Sequence, residues 1–212
     1  MAQSQELYDA ILNGDAKKAY AATQAALADG APPMQLIADS MMPAMDEVGK
    51  LFEAEEYFVP ELLLAGRAMK SAMELIRPLL VASGQKMAVR VIIGTVKGDM
   101  HDIGKNIVAS MLEGSGFEVI DLGTDVSPED FVSAVKERHP HIVCTSALLT
   151  VTMPAMKTTI DALITAGVRT QVKVILGGAP VTSQYAKEIG ADGYSENANG
   201  AVSLVKSLLA TV

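Results

Sequence analysis

The sequence predicts an α/β protein in two parts: an N-terminal four-helix bundle over residues 1–83 and a five-stranded parallel sheet flanked by helices over residues 88–212. Two patterns carry the prediction. Apolar residues in the first part recur at helical spacing, whereas in the second part short β-branched runs alternate with helical segments. Composition agrees: 50% of residues are hydrophobic but only 4% are aromatic, which suits aliphatic helix packing and strands buried on both faces.

The first helix, QELYDAILNG, stops at Asn13-Gly14, and the second runs from an Asp15 cap to Gly30. The third opens on Pro32-Pro33, as a first helical turn tolerates. Its apolar positions Leu36, Ile37, Met41, Met45, Val48 and Phe52 keep the helical period, with Pro43 expected to kink it. VPELLLAGRAMKSAMELIRPLLVASG supplies the fourth helix, and short joints make an antiparallel bundle the economical arrangement. Residues 83–87, SGQKM, read as the linker. Beyond it AVRVIIGTV, FEVIDLG, HIVCTSA and VKVILGG are strands, with a weaker fifth at ADGYS. The βαβ alternation requires parallel pairing with helices on both faces.

Several classes are excluded early. A formal net charge of −8 argues against nucleic-acid binding, which needs a basic surface to neutralise phosphates. No apolar stretch approaches the ~20 residues of a membrane helix, and MAQSQE lacks signal-peptide character, so a cytoplasmic chain with no membrane partner is expected. Cys144 is the only cysteine and can build neither an intrachain disulfide nor a multi-cysteine metal site; it reads as core.

Chemistry concentrates in KGDMHDIGKN, residues 97–106, which leaves the first strand at its carboxyl end, where such sheets bind ligands. Gly98 permits a sharp exit, Asp102 can cap the next helix, and Gly104 permits close approach to the backbone. Asp99 and His101 are two residues apart on an irregular segment, so the carboxylate can reach Nδ1–H and leave Nε2 to point outward as a metal ligand. A capped helix with a solvent-facing histidine reads the same residues equally well. HDIGK also resembles the metal-binding core of HD-type phosphohydrolases. That family uses further histidines on an all-helical fold, whereas His139 and His141 belong to the opposite end of the sheet.

Three elements at consecutive strand ends narrow the choice: DMHDIGKN matches D-x-H-x-x-G, SALLT matches S-x-L, and Gly177-Gly178 closes the fourth strand. With a four-helix bundle before them, they resemble the cobalamin-binding module of methionine synthase and, more closely, the small corrinoid proteins of methyltransferase systems. The resemblance covers nearly the whole chain. It implies a Rossmann-like (flavodoxin-like) sheet behind a helical cap, and a corrinoid cofactor that supplies four nitrogens to cobalt.

His101 would then be the lower axial metal ligand and Asp99 the acid bonded to it. Thr152 stands where methionine synthase has a serine, a departure that keeps the hydroxyl and adds a methyl. The loop residues Gly98, Met100, Asp102 and Gly104 would face the cofactor. Ser146, Leu148 and Thr150 would line a slot for its nucleotide tail, with Gly177 and Gly178 leaving room. An ordinary strand-to-helix turn also accounts for those glycines. The resemblance places Asn197 and Ala198 beside the corrin edge, and Phe58, with Leu62 nearby, over the upper face. Lys105 could contact corrin amides but reads as solvated.

The implied activity is a shuttle between cob(I)alamin and methylcob(III)alamin. One substrate-specific methyltransferase would load the methyl group, and a second would pass it to a pterin or thiol acceptor. A reductive activase is a further implied partner. The chain would be a subunit of the system and not a complete enzyme. A cobalamin-dependent sensor is the alternative, though such sensors append a basic DNA-binding domain. An adenosylcobalamin isomerase subunit would share D-x-H-x-x-G but cover its cobalt with a barrel.

Overall fold

The computed structural model describes residues 2–82 and 89–210. They group into two compact units, one of residues 2–82 with 110–117 and the other of residues 89–109 with 118–210. The expected linker, residues 83–87, lies outside the described residues.

The helical unit follows its sequence signals closely. Helix α1 (Ala2–Leu12) stops before Gly14, which stands at φ 70°. Helix α2 (Ala16–Ala28) starts on Asp15, whose carboxylate accepts the Lys18 N–H at 3.0 Å. The third helix runs from α3 (Pro33–Leu36) through a π turn (Ile37–Met41) into α4 (Met42–Glu53). There the Met42 N–H donates to the Ile37 carbonyl, a wider step than the α-helical one. Pro43, expected to kink this helix, lies in the first turn of α4 directly after the π turn. Helix α5 (Val59–Ala82) completes the unit. Leu7, Ile11, Met41, Met45, Leu62, Met69, Met73 and Ile76 form its buried core. Each contributes about 1.5–3 kcal/mol of burial before entropy is counted.

The second unit is the expected parallel sheet. Strand β1 (Arg90–Thr95) leads to α6 (Ile103–Gly114), β2 (Glu118–Asp121) to α7 (Pro128–Arg138), and β3 (Ile142–Ser146) to α8 (Pro154–Thr165). Strand β4 (Lys173–Gly177) leads to α9 (Ser183–Glu188), and β5 (Gly193–Ser195) to α10 (Ala198–Leu209). The weak ADGYS signal is a real strand. All pairings are parallel in the order β2-β1-β3-β4-β5. The order reverses between β1 and β3, so the loops leaving their carboxyl ends diverge and open a crevice there.

The two faces of the sheet differ. Ile92, Val96, Val143, Leu176, Phe131 and Leu163 belong to one dry cluster. The alternate residues face the other way and end in small side chains. Register aligns Thr95 with Ser146, Ser146 with Gly177, and Gly177 with Ser195 in one row across four strands. Cys144 sits one step down that face, and burial pushes its thiol pKa up, as befits a core residue. His141 accepts the Arg90 N–H on Nδ1 at the amino ends of the strands, far from the His101 loop.

Candidate functional site

Gly98 makes the sharp exit from β1 at φ 84°. The turn delivers Asp99 into the crevice, where its side chain is completely buried. One carboxylate oxygen, Oδ1, accepts the His101 N–H at 3.0 Å and lies 3.0 Å from His101 Nδ1. The other, Oδ2, accepts the Leu148 N–H at 2.8 Å and the Thr152 hydroxyl at 2.7 Å. Burial alone would raise the carboxyl pKa. The Leu148 and His101 N–H groups, the Thr152 hydroxyl and the imidazole outweigh it and hold Asp99 well below the usual carboxylate range.

An ionised carboxylate only accepts, so this hydrogen bond requires the proton on His101 Nδ1, and in the neutral tautomer that makes it, Nε2 keeps its lone pair. The His101 side chain is 52% exposed. Around it Met100, Ile103, Leu148, Leu149 and Val151 are exposed apolar side chains, an uncommon clustering on one lip of a sheet. At the start of α6, Gly104 has nothing within 4 Å of where a Cβ would stand. Asp102 precedes that helix, and its carboxylate accepts from the Asn106 amide at 3.0 Å.

Thr152 joins the network despite its extra methyl. A Cβ added at Gly98 would lie 3.7 Å from that methyl, an ordinary contact, so the positive φ at Gly98 and not space for the methyl is what favours glycine there. The Thr152 hydroxyl also lies 2.8 Å from the Leu149 carbonyl. Its single proton therefore has two acceptors within reach.

The remaining expected residues divide. Ser146 lies on the sheet row, but β3 ends there, so the alternation that would align Leu148 and Thr150 with it ends too. Both are exposed loop residues at the rim. Gly177 has only the Ser195 carbonyl, at 3.6 Å, near a would-be Cβ. Gly178 stands at φ 125°, and a Cβ there would fall 1.9 Å from the Ala147 carbonyl oxygen, so the backbone approach itself requires glycine. Asn197 caps α10, accepting the Gly200 N–H at 2.8 Å, and Ala198 is buried behind it. In the helical unit Phe58 is 61% exposed, whereas Leu62 is 1% exposed and committed to that unit's core. The exposed apolar neighbours of Phe58 in sequence are Val59, Leu63 and Leu64.

Lys105 corrects the expectation of a solvated side chain. It is 2% exposed, and its ammonium meets the Asp121 carboxylate and the Asn106 side-chain oxygen. Burial of a lysine follows from the partner at the end of β2, which nothing local to KGDMHDIGKN reveals. Sequence reasoning also missed Thr95, whose hydroxyl donates to the His101 carbonyl at 2.8 Å, and Ser195, at the end of the small-residue row. Only strand register brings these into the site.

No group of three or more histidine, cysteine or acidic side chains able to hold a metal occurs among the described residues. The half-exposed imidazole suits a metal whose other ligands come with it. The apolar lip suits the face of a macrocycle. The half-buried Ser146–Gly177–Ser195 part of the row suits a polar group lying against the sheet, while Thr95 is buried beneath the His101 carbonyl. Ile107 and Val108 on the first turns of α6 are only half-buried, while Met111 and Leu112 further along are closed off. A corrinoid fits these residues.

Fold and site together define a B12-binding protein. Family models described as "B12 binding domain" match residues 89–203 and residues 3–77, and the chain belongs to this family of corrinoid proteins, with cobalamin as its cofactor. It is 45% identical over 203 residues to trimethylamine corrinoid protein 1 of Methanosarcina acetivorans, covering 95% of this chain and 94% of the relative. Dimethylamine corrinoid protein 3 of the same organism is 40% identical over 204 residues, covering 96% and 95%. In structure the chain resembles one chain of the methanol:cobalamin methyltransferase complex of Methanosarcina barkeri, at a TM-score of 0.88 and 30% identity, covering 100% of this chain and 81% of that one. No helix among the described residues is long and apolar enough to cross a membrane.

Proposed function

We propose that this protein is the methyl carrier of a methylamine methyltransferase system. It would receive a methyl group from a substrate held on one methyltransferase and deliver it to a second, which passes it to a pterin or thiol acceptor. Its relation to proteins named for trimethylamine and dimethylamine supports the donor class. When bound, cobalamin supplies the cobalt that takes up the methyl group as cob(I)alamin and gives it up as methylcob(III)alamin. The observation that carries the reading is the half-exposed His101, held through Nδ1 by a fully buried carboxylate, with exposed apolar side chains on its own loop and on the loop after β3.

The chain's residues have distinct tasks. His101 Nε2 would ligate the cobalt. Asp99 holds Nδ1 so that Nε2 would be free to ligate, and Thr152 holds the second carboxylate oxygen in place. Met100, Ile103, Leu148, Leu149 and Val151 bear the ring. The row through Ser146 and Gly177 seats the nucleotide tail, with hydroxyls for its polar atoms. A reductive activase restores carrier that has been oxidised.

The test is reconstitution with cobalamin, reduction, and incubation with an amine-specific methyltransferase and each methylamine in turn. Methylation should be seen as the spectral change of the bound cofactor. In a matched cobalt oxidation state the parent should show nitrogen ligation and His101→Ala should lose it while retaining cofactor. Indistinguishable spectra would remove His101 from the axial position.

A further inference from the structure

Asp125, in the loop between β2 and α7, stands at φ 54°, in the left-handed region that non-glycine residues seldom occupy. Its three strongest partners all belong to the segment just before His101. The Asp125 N–H donates to the Asp99 carbonyl at 2.9 Å. Its Oδ1 accepts the Gly98 N–H at 2.8 Å, and its Oδ2 meets the Lys97 ammonium at 3.0 Å. The carboxyl sits below its usual pKa, chiefly because of the Gly98 N–H.

Two kinds of contact join these loops. The bridge between Val96 and Val126, and the Val126 N–H donating to the Thr95 carbonyl, are backbone bonds that many sequences could make. The grip on Gly98 and Asp99 is different, because one of its two ends is a side chain. It clamps the peptide groups on both sides of the Gly98–Asp99 link, and so fixes the direction in which the Asp99 side chain leaves the backbone. That direction decides whether Oδ1 reaches His101 Nδ1.

We propose that Asp125 is a positioning residue for His101, acting through Asp99: its carboxylate holds the Gly98–Asp99 backbone in the one orientation that presents the imidazole as a ligand. The inference rests on the reading of His101 as the axial ligand. It differs from a mere turn role, in which any residue tolerant of positive φ would serve. Asparagine and glycine both tolerate that conformation, but only asparagine retains an acceptor for the Gly98 N–H.

The experiment compares the parent with Asp125→Asn and Asp125→Gly by two readouts. In the cofactor-free protein, solvent exchange of the His101 Nδ1 proton is followed by NMR. In the cob(II)alamin-bound protein, nitrogen coupling in the electron paramagnetic resonance spectrum gives the ratio of ligated to unligated cobalt. Asp125→Asn should keep both close to the parent. Asp125→Gly should exchange the proton faster and lower the ligated-to-unligated ratio about tenfold, as removal of outer supports of a metal ligand does. If Asp125→Gly matches the parent in both, Asp125 is only a turn residue and the proposal falls. If Asp125→Gly does not fold, Asp125→Ser, whose hydroxyl is too short for Gly98, decides by the same readouts. If the parent binds cobalamin without nitrogen coupling, the axial reading of His101 fails, while the proton-exchange comparison still decides whether Asp125 positions the ring.

Discussion

The Thr152 hydroxyl lies 2.7 Å from Asp99 Oδ2, on the far side of the carboxylate from the His101 imidazole. A threonine thus occupies the third place of an acid–imidazole network with its hydroxyl in hydrogen-bonding range, its methyl lodged beside Gly98. Thr152→Ser should therefore leave nitrogen ligation of bound cobalamin and stability near the parent, within about 1 kcal/mol. Thr152→Val removes a hydrogen bond to a buried charge and should cost about 1.5–3 kcal/mol in urea unfolding. If Val and Ser behave alike, the hydroxyl is idle and the network ends at Asp99.

Asp99 also sets an acid limit. Its pKa is depressed in the folded protein, so the unfolded chain takes up the proton first as pH falls. The stability it contributes is fully present above the ordinary carboxylate value of about 4 and is lost progressively below it. Asp99→Asn should lower stability at pH 7, because the amide NH2 cannot accept the Leu148 N–H and the Thr152 hydroxyl as the second carboxylate oxygen does. It should also flatten the stability profile between about pH 4 and the acid end of the accessible range. Melts recorded across that interval check both effects, and equal acid slopes for parent and variant would show that the depression contributes nothing to folding.

The sequence made the local parts of this site legible. Asp99 and His101 are two residues apart, so their meeting needed only an irregular segment, and Gly98 supplied it. Thr152 was reachable through the resemblance, which places it where methionine synthase has a serine. Helix stops at Gly14 and caps at Asp15 follow from chemistry contained within one turn. What stayed hidden depends on chain segments that only tertiary structure brings together. Thr95 and Ser195 enter the site through strand register, Lys105 is buried because Asp121 ends β2 beside it, and Asp125 acts across 27 residues on Gly98. Leu148 and Thr150 lie beyond the end of β3 as exposed loop residues, where no strand register fixes their facing.

Lys105 offers a test of where a buried ion pair stores its stability. Its side chain is 2% exposed but that of Asp121 is 41% exposed, so water screens the pair at one end. Lys105→Met keeps an apolar stem of similar length and leaves Asp121 accessible to solvent; it should cost about 1 kcal/mol or less. Lys105→Ala also empties the space filled by the stem and should cost about 2–3 kcal/mol. Equal losses for the two variants would place the energy in the charge and not in the stem.

Gly177 and Gly178 are adjacent, yet the structure gives them opposite reasons to be glycine. At Gly178 a Cβ would collide with the Ala147 carbonyl oxygen at 1.9 Å, and φ is 125°. Gly178→Ala should cost about 3 kcal/mol or more, because backbone and not a flexible side chain must give way. At Gly177 the nearest atom is the Ser195 carbonyl oxygen at 3.6 Å, an ordinary contact, so Gly177→Ala should change stability by less than about 1 kcal/mol. Its methyl would nevertheless project from the row between Ser146 and Ser195. Cobalamin affinity should fall about tenfold or more in a protein that melts normally, since a rigid slot accommodates an added methyl only by displacing what lies in it. Unfolding curves and cobalamin titration of the two variants separate the cases. Unchanged cobalamin affinity in Gly177→Ala would move the nucleotide tail off this row of the sheet.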